Sequence, residues 1–176
     1  MVLTNWHVVA IVRGDRTIVT GDGLLHRRLG VPRRLEDTDL AIVEFRSAIE
    51  YKVAPISAEP AAVGEPLRSV RFPAGAQAWA VARGFVELLL PKSLPQGHSL
   101  GYTNEVKIGM SSGPIFNAKG FLVGINGRGN YRDPDFEVYA FKDATEPTAE
   151  LLEKMVKYLG NSYQYIFAIV SSHLGS

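Results

Sequence analysis

The chain contains no cysteine, so neither disulfides nor thiolate metal sites can brace it or supply its chemistry. That absence fits a reducing or an oxidising compartment equally well, and the localisation stays open. Net charge is also scarce: 19 Lys and Arg against 18 Asp and Glu leave +1, which gives no reason to expect a polyanionic partner. No apolar run approaches the roughly 20 residues of a membrane-crossing helix, so no membrane span is expected. The opening, Met1 to Val12, holds Asn5 and His7 and lacks both a basic start and a small-residue cleavage site. It is therefore not read as a signal peptide. The turn Gly21-Asp22-Gly23 lacks the third glycine and the helix of a dinucleotide loop. His26 and His98 have no neighbouring ligand set and read as surface residues, so neither a metal nor a cofactor is expected. The basic run from His26-Arg27-Arg28 to Arg33-Arg34 reads as a solvated loop, because phosphate binding draws on a broader basic face. No nucleic-acid partner is expected.

What is present is a chain of 176 residues, enough for one domain or two small ones. A chain of this size buries about 70% of its unfolded surface, so a core can form without staples. Its first two thirds are short apolar runs separated by Gly, Pro, Asp and Asn. These predict strands at Val8–Val12, Arg16–Thr20, Leu40–Phe45, Leu67–Phe72, Ala78–Leu90 (as two strands broken near Arg83-Gly84), Ile115–Phe116 and Phe121–Ile125. Strands at this spacing predict an all-β sandwich or barrel rather than a parallel sheet interleaved with helices. Pro55 to Pro66, rich in proline and alanine, is the candidate linker. One helix is predicted over 148–159, with Thr148 as cap, Glu150 in the first turn and Leu151, Leu152, Met155, Val156 and Leu159 on one face. A final strand is predicted over 163–170.

Three segments can carry chemistry. His7 lies in a mainly apolar run and could simply be a hydrogen-bonded core histidine. Asp39 opens the apolar strand Leu40-Ala41-Ile42-Val43; it is either a turn residue or a buried acid that needs a donor, because burying an unpaired carboxylate costs several kcal/mol. Ser111 sits in Gly109-Met110-Ser111-Ser112-Gly113-Pro114. Glycines there permit a tight turn whose N–H groups converge on one point, although glycine-rich hairpins also occur for structural reasons alone. Taken together, the three segments supply what an activated serine demands: a nucleophile, a base for its proton, and an acid to hold the tautomer of that base. The order His, Asp, Ser is that of the chymotrypsin type.

Leu3-Thr4-Asn5-Trp6-His7-Val8-Val9 resembles the catalytic-histidine segment of bacterial trypsin-like (chymotrypsin-fold) serine peptidases. Asp39-Leu40-Ala41-Ile42 resembles their aspartate segment, and Gly109 to Pro114 their Gly-x-Ser-Gly-Gly-Pro loop. The resemblance runs from Met1 to about Gly127. It implies two antiparallel β-barrels, the first within residues 1–60 and the second within 61–176, with a C-terminal-region helix added. It further implies a serine endopeptidase acting on polypeptides, with His7 as base, Asp39 as its orienter, Ser111 as nucleophile, and the N–H groups of Gly109 and Ser111 as oxyanion hole. The substrate pocket is expected among Thr103 to Lys107 and Asn126 to Gly129, with Glu105, Asn126, Gly127 and Arg128 as candidate contacts. Tyr102-Thr103-Asn104 and Gly124 to Gly127 are expected as pocket walls.

Two departures from the family pattern carry expectations of their own. Only six residues precede His7, where the family has two or more strands. The first barrel is therefore expected to be incomplete at its N-terminus, with Met1 an internal methionine or a misplaced start. A longer frame would leave room upstream for a secretory signal, as the resemblance to an often exported family implies, so a secreted or periplasmic location stays open beside the others. The second departure is Ser112, where the family has glycine. If the position needs φ > 0, the serine is strained by about 1–2 kcal/mol, and Ser112→Gly is expected to raise activity. Ser112 is also the alternative nucleophile. The rival reading is a catalytically impaired relative acting as a peptide-binding or interaction module; a weaker one is a basic-patch binder built on Arg27 to Arg34.

Overall fold

Short runs whose side chains alternate between a buried and a solvated face build two β-sheets here. A computed structural model of the chain describes residues 1–10, 17–71, 79–104, 109–128, 141–160 and 166–170, with the backbone alone at 71, 128, 156–160 and 166–170. In chain order the elements are β1 (Val2–Asn5), α1 (Trp6–Ala10), β2 (Thr17–Val19), β3 (Leu25–Arg34), β4 (Leu40–Phe45), β5 (Pro66–Arg71), β6 (Ala80–Leu89), β7 (His98–Tyr102), β8 (Pro114–Asn117), β9 (Leu122–Arg128), α2 (Ala149–Gly160) and β10 (Ile166–Val170). The first four strands form an antiparallel sheet in the order β1-β4-β3-β2, which does not close on itself among the described residues. The other six form a closed antiparallel barrel, β10-β7-β6-β5-β8-β9. The all-β architecture of one partial and one complete barrel is as the sequence implied.

Three clusters hold these layers. Leu67, Val86, Leu100, Tyr102, Ile115 and Val123 fill the closed barrel. Leu40 from the first sheet packs with Leu122 and Ile125 from the second, flanked by Leu3, Leu35 and Phe116, and this seam joins the two halves. Leu88, Leu90, Leu94 and Phe141 receive Met155 and Leu151 of α2. Each such side chain contributes about 1.5–3 kcal/mol when fully buried. Thr148 caps α2 as predicted, its hydroxyl accepting from Leu151 N–H at 3.3 Å. The helix and final strand fall within a residue or two of the expected helix and inside the expected strand; 163–165 lie outside the described residues.

Several local expectations need correction. Val8 to Ala10 belong to the short helix α1, not to a strand, because the chain turns after β1 to bring His7 back over β4. The basic run is not a loop: it is β3, paired with β4 and solvated along most of its length. Its one buried side chain is His26, which lies against Phe45 (ring centroids 4.9 Å apart) and Tyr51 instead of on the surface. His98 is likewise buried, its Nδ1 3.3 Å from Pro95 O. The predicted break at Arg83-Gly84 does not occur, and β6 runs through it. Gly84 is there for close approach: a Cβ would stand 2.4 Å from Asn104 Oδ1 and 2.8 Å from Asn104 N. The proline-rich stretch does not hang free, since Ser57 N–H donates to Leu122 O and Leu122 N–H to Pro55 O.

Candidate active site

The antiparallel register that sets Asn5 opposite Leu40 and Thr4 opposite Ala41 places the residues just beyond, Trp6 and Asp39, side by side. Trp6 N–H donates to Asp39 O at 2.8 Å, and Asn5 Nδ2 donates to the same carbonyl at 3.1 Å. Asp39 N–H donates across to Gln96 O of the second half at 2.9 Å. Asp39 is thus fixed on both sides and only 3% exposed. Its carboxylate accepts twice from one residue, from His7 N–H at 2.8 Å and from His7 Nδ1 at 2.6 Å. The backbone bond locks the position of His7, and the ring bond selects the tautomer with the proton on Nδ1. Nε2 is then the lone-pair nitrogen of a half-exposed imidazole.

Ser111 lies in a turn closed by Gly113 N–H donating to Met110 O at 3.1 Å. Gly109 enters that turn at φ 86°, in the left-handed region that glycine tolerates without cost. The N–H groups of Gly109 and Ser111 donate to no acceptor among the described residues. Two unpaired donors in one tight turn are what an oxyanion hole uses. Asn126 holds the turn from behind. Its N–H donates to Gly113 O at 2.8 Å, its O accepts from Ser112 N–H at 2.9 Å, and its Nδ2 donates to Met110 O at 3.2 Å. Its Oδ1 accepts from the buried Tyr102 hydroxyl. Burial pushes the Tyr102 phenol well above its ordinary value of 10.0. Gly113 must be small, for a Cβ there would meet Val70 O at 2.6 Å.

The serine turn is also fastened to the histidine segment, through Ser112. Its Oγ accepts from Asn5 N–H at 2.9 Å, lies 3.1 Å from Asn5 Oδ1 as donor, and is 2.8 Å from Thr4 Oγ1. One donor and two acceptors exhaust a hydroxyl. Ser112 adopts φ 72°, so the strain foreseen for a serine here is present. A hydroxyl with all its bonds committed elsewhere makes a poor rival nucleophile, and no hydrogen bond joins it to His7. Nor, among the described residues, does one join Ser111 Oγ to His7.

Of the candidate substrate contacts, Glu105 lies outside the described residues, as does Lys107. Gly127 is a buried backbone position on β9, and Arg128 pairs its backbone with Phe167 on β10. Asn126 has every polar atom of its side chain engaged within the protein. Asn104 is buried too, its Nδ2 donating to Ser69 Oγ and Ala82 O, and Thr103 Oγ1 accepts from Phe85 N–H. Asn126 thus braces the serine turn itself, while Asn104 and Thr103 tie the end of β7 to β5 and β6. Thr4 and Asn5 entered the sequence reading only as part of the histidine segment, and nothing but the fold brings them to the serine turn; Tyr102, expected as a pocket wall, braces Asn126. No group of three or more His, Asp or Glu able to hold a metal occurs among the described residues.

Residues 1–125 match the family model of the trypsin-like peptidase domain. Among solved structures, the chain is similar to Rv3671c from M. tuberculosis, determined as a serine-to-alanine mutant in an inactive form, at 17% identity and a TM-score of 0.67, covering 98% of this chain and 72% of that one. It is also similar to the MamO protease domain from Magnetospirillum magneticum in its apo form, at 15% identity and a TM-score of 0.62, covering 98% of this chain and 79% of that one. At such identities the likeness is one of fold. No curated protein matches.

Proposed function

The chain belongs to the trypsin-like peptidase family, and from that premise we propose that it is a serine endopeptidase cleaving polypeptides through an acyl-enzyme on Ser111. His7 Nε2 takes the Ser111 proton as the hydroxyl oxygen attacks the scissile carbonyl. Asp39 keeps the Nδ1 proton in place and stabilises the imidazolium that forms. The carbonyl oxygen, now negative, receives the N–H groups of Gly109 and Ser111, each such donor contributing about 3–4 kcal/mol to transition-state stabilisation. His7 then returns the proton to the leaving amine, and water repeats the sequence on the ester. The observation that carries this reading is the two-bond grip of Asp39 on His7 beside a turn with two unpaired N–H donors. The substrate-binding residues proposed with this reading are Glu105, Asn126, Gly127 and Arg128.

A second reading, a protease-like module that binds peptides without cleaving them, is favoured by one observation: Ser111 Oγ makes no hydrogen bond to His7. Such bonds often tighten only when substrate is bound, so that gap weighs less than the ordered His7–Asp39 pair. Hydrolysis of an unstructured polypeptide by the wild type and by Ser111→Ala separates the two. Cleavage by the wild type alone supports the peptidase; cleavage undiminished in the mutant contradicts it.

A further inference from the structure

We infer that Ser112 is a positioning residue, a clamp that holds the serine turn at working distance from His7, an inference that rests on the peptidase reading. The residue is costly where it stands. At φ 72° a side chain beyond Cα is disfavoured, and glycine would sit there without strain. The serine gains three hydrogen bonds there, all of them to the segment that precedes His7. The path is short in both directions. Ser112 is the next residue after the nucleophile, and Asn5 lies two residues before the base. Asn5 in turn donates to Asp39 O, and Asp39 grips His7. A continuous chain of hydrogen bonds thus runs from the serine turn to the imidazole, bridging parts of the chain more than a hundred residues apart in sequence. Among the described residues no direct bond ties Ser111 to His7. Their spacing therefore depends on this clamp and on the apolar seam of Leu40 with Leu122 and Ile125. Among the described residues β1 pairs only with β4, at the end of a four-stranded sheet, so that sheet alone holds it from one side.

This reverses the sequence-based expectation for Ser112→Gly. Relieving the strain removes the clamp, and a misplacement of about 1 Å between reacting groups costs on the order of a hundredfold in rate. The test measures the rate at which a fluorophosphonate labels Ser111, and kcat and KM on a peptide substrate, in the wild type, Ser112→Gly and Thr4→Val. Ser112→Gly is expected to label about 10 to 100 times more slowly, with kcat lowered, KM little changed and the melting temperature held by the relaxed backbone. A residue with a merely structural role would shift melting and leave labelling alone. Thr4→Val leaves Ser112 in place but removes one of its partners, and is expected to slow labelling several-fold; it decides the matter if Ser112→Gly does not fold. Labelling of both variants at the wild-type rate overturns the clamp and leaves the peptidase reading standing. A wild type that does not label overturns the peptidase reading, and the clamp with it.

Discussion

Replacing Asp39 by asparagine separates orientation from mere contact. The carboxylate accepts from His7 N–H at 2.8 Å and from His7 Nδ1 at 2.6 Å, one oxygen to each. Asparagine has nearly the same shape, so the 3%-exposed site is left without a cavity. It has only one acceptor oxygen, however, and an NH2 stands where the other oxygen was. If the oxygen keeps the backbone N–H, the NH2 faces Nδ1, and the ring must offer its lone pair there and carry the proton on Nε2. The base is then blocked. Weakening one charge-assisted hydrogen bond costs about 1.5–3 kcal/mol of stability. The tautomer error costs more: in serine, histidine and aspartate triads this exchange lowers turnover about 10⁴-fold, which corresponds to about 5.5 kcal/mol of barrier. Fluorophosphonate labelling rates, taken beside thermal melting, measure both quantities. A folded Asp39→Asn protein that labels within about tenfold of the wild type would refute the role given to Asp39.

Two further substitutions test the frame behind the serine turn. Burial holds the Tyr102 phenol well above 10.0, so above that pH the unfolded chain sheds a proton that the folded chain keeps. The stability tied to this group is complete below pH 10.0 and falls as pH rises beyond it; Tyr102→Phe should flatten that alkaline loss while costing about 1–3 kcal/mol at neutral pH, through the orphaned Asn126 Oδ1. Equal alkaline slopes in the two proteins' melting curves would count against it. Gly113→Ala drives a Cβ to 2.6 Å from Val70 O, a backbone atom of a paired strand that cannot swing aside. It should lower stability by about 1–3 kcal/mol in urea unfolding, and an unmoved midpoint would contradict the crowding.

What could be read from the sequence was set by how local its signal is. Leu40 to Val43 forms a continuous apolar run behind an acid, and both the strand and the partnered Asp39 could be expected from it. Thr148 and the apolar face that follows announce α2 in the same local way. β3 could not be seen, because its only buried side chain is a histidine and its arginines come in adjacent pairs, Arg27-Arg28 and Arg33-Arg34, which break any alternation of apolar and polar residues. Gly84 read as a break because the sequence does not reveal Asn104 and Thr103 pressed against it. The Ser112 hydroxyl read as a defect for the same reason. Its partners, Thr4 and Asn5, lie more than a hundred residues away, and only the folded seam brings them within reach.

The most direct test of the central claim is the intact mass of the protein after incubation with a fluorophosphonate, followed by mapping of the modified peptide. The account predicts one adduct, on Ser111, in the wild type and none in Ser111→Ala. An unmodified wild type, or an adduct that persists in Ser111→Ala, would contradict it.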